Sequence, residues 1–300
     1  MRYANKRVDK AEIIAGILSI EPGDLIFFYV KNKGVYGLWK AVGNPYYDET
    51  KIWLKDNQLY PYRVSFEPAI AYFPEPVLLN DILDLHDKGI IWTFDLNPVL
   101  QKNQYKITMD EARDLLRLLL RNNPIRLPLR VASNPYLPSY RQPIEIDYSG
   151  SQSIKFKYEG WLNAWFVEAL SRSELKPLLG DYREFINLVP TTFNKVMDIF
   201  LTHVTNIDGI EVLHKYTCIE LKVDRADEQD LAQILRYEDW LSRKLASGDH
   251  DMVQCILVAS RFSDNLVHYL GNRRRIEEKI VRLIAYQVGN QNVELQEVLL

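Results

Sequence analysis

The sequence predicts a mixed α/β (α+β) chain of two modules, the second built on a central mixed sheet. Three observations carry that expectation. Residues 21–67 read as short strands separated by turns. Residues 123–150 hold Pro124, Pro128, Pro135, Pro138 and Pro143, a density that breaks regular structure. Beyond residue 151, apolar strand-like runs alternate with helical patterns. The expected layout is a first module over 1–125, a linker over 126–150 and a second module over 151–300.

Composition narrows the class. The 300 residues are 47% hydrophobic and 26% charged, ordinary for a globular chain and enough for two domains. No apolar run approaches the roughly 20 residues of a membrane span. The Met1–Arg7 segment lacks an apolar signal stretch, so a cytoplasmic protein is expected. Cys218 and Cys255 sit in apolar runs and read as reduced core thiols. No Cys/His group has zinc spacing, and His203, His214 and His268 show no triad spacing. The net charge of -3 means that any nucleic-acid site must be a local patch.

In the first module, Asp24–Val30 reads as a strand, Asn32–Gly34 as its turn and Val35–Gly43 as the return strand. Asn44–Asp48 reads as a loop. Lys51–Leu54 continues the sheet and Tyr60–Val64 begins another strand. Helices are expected over Leu78–His86 and, behind the cap Thr108, over Met109–Asn122, with Asp110 and Glu111 suiting the first turn. Arg113, Arg117 and Arg121 share one face of that helix. They either contact phosphate or form a solvated face paired with nearby acids, and the second reading is favoured.

In the second module, Ile154–Tyr158 reads as a strand and Glu159–Leu170 as a helix with Leu162 and Phe166 inward, Glu159 falling on the same side. Lys195–Val204 is a strand with Asp198 between apolar neighbours. A lone buried carboxylate costs several kcal/mol unless paired or metal-bound. With a hairpin centred near Gly209, Asp198 falls opposite Glu220. Asp208 and Glu211 are the competing acids, although Asp208-Gly209 is also an ordinary turn pair. Tyr216–Val223 is a strand in which Glu220 and Lys222, two apart, share a face. Asp224–Leu245 reads as a helix with an apolar stripe through Leu231, Ile234 and Leu241. It carries Gln233 and Tyr237 one turn apart. Met252–Ala259 is a buried strand, Asp264–Leu270 a helix and Ile280–Val288 a strand. Arg273-Arg274-Arg275 is the only basic triplet, a phosphate contact or a solvated surface.

The strand Glu220-Leu221-Lys222 followed by a helix with Gln233, Arg236 and Tyr237 resembles the core of the PD-(D/E)XK nucleases. Within that group it is most similar to the archaeal endonucleases that act on mismatches and single-strand branches. The resemblance implies a restriction-endonuclease-like fold with Mg²⁺ or Mn²⁺ held by Glu159, Asp198, Glu220 and the carbonyl of Leu221. Oxygen donors suit such hard cations. It implies Asp198, Glu220, Lys222 and Gln233 as catalytic residues, with Tyr237 in support. The first module, through Gly23–Val30, Gly37–Val42 and Tyr60–Val64, resembles the EVE domain of the PUA-like group. That implies a small twisted β-barrel with an aromatic pocket for a flipped or modified base. Trp39 and Trp53 are its first candidates, with Tyr46, Tyr47 and Trp92. The competing reading is that these aromatics fill a barrel interior.

The expected function is therefore a metal-dependent endonuclease on DNA, its first module selecting substrate. A repair nuclease for branched or mismatched DNA and a non-catalytic nucleic-acid-binding protein are the alternatives. RNA as substrate is left open, as are a monomer and a homodimer; no membrane partner is expected.

Overall fold

The computed structural model describes residues 7–31, 33–52, 60–94, 104–125, 127–129, 140–148, 154–289 and 291–300, the side chains of residues 7–9 excepted. The chain forms two compact units, Met1–Glu145 and Ile146–Leu300.

In the first unit, helix α1 (Arg7–Leu18) precedes strands β1 (Leu25–Val30), β2 (Gly34–Tyr47) and β3 (Tyr62–Pro68) and helices α2 (Leu79–Asp87) and α3 (Met109–Asn122). The strands form one antiparallel sheet in the order β1-β2-β3. Among the described residues this sheet is open, so the closed barrel implied by the resemblance is not formed by them. β2 also runs through Asn44–Tyr47, where the sequence suggests a loop. A register shift between Val42 and Tyr46 lets Tyr46 pair with Arg63, and Gly43 takes the positive φ of +77° at that irregularity. Lys51 and Ile52 belong to no strand, contrary to the expected extension of the sheet, and Trp53 and Leu54 lie outside the described residues.

Packing accounts for the two expected helices. α2 buries Ile82 and Leu85, and α3 buries Leu115 and Leu119, in one core with Val77 and Phe73. Thr108 caps α3 in a reciprocal box with Glu111. The buried Glu111 carboxylate also accepts the backbone N–H groups of Trp92 and Thr93, at 2.7 and 2.8 Å. At Gly34, with φ +137°, a Cβ would lie 2.2 Å from the Val77 carbonyl oxygen, so only glycine allows that approach. α1 lies outside the elements read from the sequence. Its buried face is made of Ala11, Ile14, Ala15 and Ile17.

The second unit contains α4 (Glu159–Ser171), α5 (Lys176–Leu179), β4 (Glu184–Pro190), β5 (Val196–Ile207), β6 (Ile210–Leu221), β7 (Arg225–Ala226), α6 (Glu228–Leu245), β8 (Val253–Ala259), β9 (Arg261–Phe262), α7 (Asp264–Glu277), β10 (Val281–Val288) and β11 (Val293–Val298). Its six-stranded sheet has the order β11-β10-β8-β6-β5-β4. β6, β8 and β10 are parallel neighbours and the other pairings are antiparallel, giving the expected mixed sheet. α6 and α7 are the crossovers that parallel neighbours require.

Several local expectations change. Ile154–Tyr158 is not a strand but a bend. Ile154 is exposed and Phe156 buried, so an alternating pattern mimics a strand where the chain only covers the sheet. α6 starts at Glu228 rather than near Asp224, because β7 intervenes and Asp227 caps the helix in a box with Asp230. α7 runs on to Glu277, and β4 and β11 have no counterpart in the sequence reading. The β5–β6 hairpin turns at Asp208-Gly209, both left-handed at φ 51° and 86°, the conformation two-residue hairpins favour.

Candidate metal centre

The hairpin register builds the centre. Ile199 pairs with Ile219, which sets Asp198 opposite Glu220 one step further along. β5 and β6 are both interior strands, and both carboxylates are buried, at 8% and 2% exposure. Asp198 Oδ2 accepts the Leu221 backbone N–H at 2.8 Å. Glu220 Oε1 accepts from Lys222 Nζ at 2.7 Å and from Gln233 Nε2 at 2.6 Å. Glu220 Oε2 is buried with no hydrogen-bond partner, the kind of orphaned acceptor that native interiors rarely tolerate.

α6 supplies the opposite wall. Gln233 Nε2 also donates to the Tyr237 hydroxyl, at 2.8 Å, and that hydroxyl donates to the Val196 carbonyl at 3.0 Å. The helix is thereby tied to the first residue of β5, two positions before Asp198. Asp230, which sequence reasoning missed, lies 3.6 Å from Lys222 Nζ. Its signal is the Asp227-x-x-Asp230 spacing of a capping box, whose second acid also faces Lys222.

The electrostatics are those of a site short of positive charge. Burial raises the Asp198 carboxyl, and the Glu220 and Glu159 charges raise it further against the Leu221 N–H bond and Lys222. Burial likewise raises Glu220, with Lys222 opposing. At Lys222, burial alone would lower the pKa, but Glu220, Glu159 and Asp198 outweigh it and hold the ammonium protonated. Burial and then the two carboxylates keep the Tyr237 phenol protonated.

Glu159 departs from its expected setting. It is the first residue of α4 but exposed, not on the inward side. Its charge nevertheless acts on Asp198, Glu220 and Lys222. The competing acids are elsewhere: Asp208 is in the turn, and Glu211 is exposed and pairs with Arg183 at 2.7 Å. Among the described residues no group of three or more His, Cys, Asp or Glu side chains is gathered as it stands to hold a metal ion. Asp198 and Glu220 nevertheless fit a hard cation by their oxygen donors, their unbalanced charge and the orphaned Oε2.

The remaining candidates separate. Trp39 is half-buried and meets Phe28 edge-on at 4.8 Å, and Phe28 lies 5.1 Å from Phe66. Tyr46 is buried beneath the Arg141 guanidinium, 4.6 Å from the ring centroid. Tyr47 hydrogen-bonds to Glu49, which with burial pushes its phenol up to about 12. Trp92 is core, in line with the barrel-filling reading, and Trp53 lies outside the described residues. Arg113, Arg117 and Arg121 pair with Asp110, Asp114 and Asp81, the solvated-face reading. Arg273 is buried between Glu238 and Glu277 at 2.7 and 2.9 Å, so it does not belong to a basic surface triplet.

Residues 13–117 match the family model of the EVE domain. The EVE match takes in all three strands of the first sheet and most of α3. Among solved structures, the chain is similar to the crystal structure of a repair endonuclease from Pyrococcus abyssi, at 22% identity and a TM-score of 0.25. That match covers 35% of this chain and 42% of the other. No curated protein matches the chain. No helix among the described residues is long and apolar enough to cross a membrane.

Proposed function

We propose that this protein is a metal-dependent endonuclease that hydrolyses phosphodiester bonds in DNA, with the EVE region selecting substrate. The observation that carries the reading is the buried Glu220 carboxylate. One oxygen is fixed by Lys222 and Gln233 and the other is left without a partner, opposite a second buried acid, Asp198.

Asp198 and Glu220, with the Leu221 carbonyl and Glu159 at the rim, would hold Mg²⁺ or Mn²⁺. Such an ion, when bound, lowers the pKa of water and neutralises charge on a scissile phosphate. The chain's own groups do the rest. Leu221 N–H fixes the Asp198 carboxylate, and Gln233 fixes that of Glu220. Lys222 keeps its proton at Nζ, so it cannot take one from water. It presents a fixed positive charge where a phosphate oxygen becomes more negative. Tyr237 keeps its own proton and anchors Gln233 to β5.

The test is incubation of supercoiled, mismatched, flapped and base-modified DNA with the full chain in Mg²⁺, Mn²⁺ or EDTA. Cleavage confined to the metal-containing reactions and absent from Glu220→Gln is expected. Full cleavage in EDTA would overturn the reading.

A further inference from the structure

A second feature of α6 takes no part in the centre described above. Phe193, Arg236, Asp239, Trp240, Arg243 and Lys244 line an open cavity of about 510 Å³. That volume is within the range of small-ligand sites. Its composition is specific: two aromatic rings, three cations and one acid. The acid is already neutralised, because Asp239 accepts from Arg243 Nε at 3.0 Å and pairs with its guanidinium. Arg236 and Lys244 supply the other two cations. Arg236 is exposed and forms no ion pair among the described residues, and Lys244 Nζ lies 5.9 Å from the Trp240 ring centroid.

The aromatic wall is built rather than incidental. Phe193 is presented by the tight loop between β4 and β5. There Thr191 N–H and Oγ1 both donate to the Lys195 carbonyl, at 2.9 and 2.8 Å, and Asn194 takes the left-handed conformation at φ 57°. The Phe193 ring stands 5.7 Å from Tyr237 and 6.4 Å, edge-on, from Trp240. Tyr237 is the residue that anchors Gln233, so the cavity and the metal centre share a wall. Trp240 follows Gln233 by two helical turns, about 10 Å along the axis.

We infer that this cavity is a subsite for single-stranded DNA, stacking a base on Trp240 with Phe193 meeting that base edge-on, while Arg236 and Lys244 contact the flanking phosphates. The inference rests on the nuclease reading for its substrate class and deepens it. Aromatic faces beside cations, without a stereospecific set of polar groups, are what sequence-tolerant single-strand binding uses. Duplex DNA buries its base faces and could use only the cations.

The test is fluorescence anisotropy of a labelled oligothymidylate and of a matched duplex with the full chain, in metal-free buffer where hydrolysis plays no part. Trp240→Ala should weaken single-strand binding by about 5- to 150-fold and duplex binding little, while Trp240→Phe restores most of it. Arg236→Gln, at an exposed position, should lower the log–log salt slope by about 0.7. Folded Trp240→Ala binding the oligonucleotide as the parent does would overturn the subsite. So would an unchanged salt slope in Arg236→Gln, or equal losses on single strand and duplex. Failure of the nuclease reading shows separately, as absence of metal-dependent cleavage by a parent that still binds.

Discussion

Gln233 Nε2 lies 2.6 Å from Glu220 Oε1, the oxygen that Lys222 also holds. Two donors on one oxygen leave the other to a cation. Gln233→Ala should therefore not abolish cleavage but raise the Mg²⁺ concentration needed for half-maximal rate by roughly 10- to 100-fold, the usual cost of losing a group that orients a ligand. A metal titration of cleavage checks this. An unchanged midpoint would mean that Gln233 does not orient the carboxylate.

The hairpin separates two aspartates, one on the strand and one in the turn. Asp198→Asn should be inactive yet folded, since an amide oxygen can still accept the Leu221 N–H. Asp208→Asn should cleave as the parent does, because asparagine tolerates the left-handed turn. Cleavage rates at saturating Mg²⁺, with circular dichroism as the fold check, decide it; the reverse pattern would move the ligand to the turn.

His203 gives a pH dependence independent of the centre. It is buried on β5, with Nδ1 2.7 Å from the Asp181 carbonyl and Nε2 2.8 Å from Thr217 Oγ1. One neutral tautomer satisfies both. Burial pushes its pKa down to about 4 from 6.5, against the Asp181 carbonyl bond. The folded value is the lower one, so below pH 6.5 the unfolded chain takes up a proton that the folded chain refuses. Stability should fall as pH drops from about 6.5 to about 4, by on the order of 2 kcal/mol after allowance for screening. Melting midpoints of the parent and His203→Gln should converge over that window as the parent loses this contribution. Parallel losses would assign the acid sensitivity to other groups.

A fragment spanning Ile146–Leu300 carries the whole six-stranded sheet, Glu159, Asp198, Glu220 and α6. It should fold and retain metal-dependent cleavage with reduced discrimination among substrates. In the full chain, Trp39→Ala should impair discrimination more than maximal rate. Substrate panels compared at matched protein concentration read both, and unchanged discrimination in folded Trp39→Ala would remove Trp39 from substrate selection.

The centre is legible in the sequence because strand periodicity is strict. Glu220 and Lys222, two apart, and a turn at Asp208-Gly209 fix which side chains share a face of the hairpin, so spacing alone sets Asp198 against Glu220. Glu159 falls differently because at the first position of α4 no preceding helical turn covers the side chain, which stays exposed. Ile154–Tyr158 misleads because alternation is shared by strands and by chain that merely drapes over a core. β4 and β11 are hard to read because polar residues interrupt their apolar pattern: they are the edge strands, with one side unpaired. The α6 cavity is invisible in the sequence because Phe193 and Trp240 lie far apart along the chain and meet only through the fold.

The sharing of α6 between the two sites has a consequence for how the protein can change. Gln233 and Tyr237 on one stripe and Arg236 and Trp240 on the adjacent stripe of the same face are borne by a single rod, capped at Asp227 and packed inward through Ile234 and Leu241. A substitution that tilts the rod detunes grip and turnover together. The loop bearing Phe193 supplies no group of the centre itself and meets it through the Phe193–Tyr237 ring contact. Drift in substrate preference is therefore expected to accumulate at residues 191–195, while α6 stays fixed.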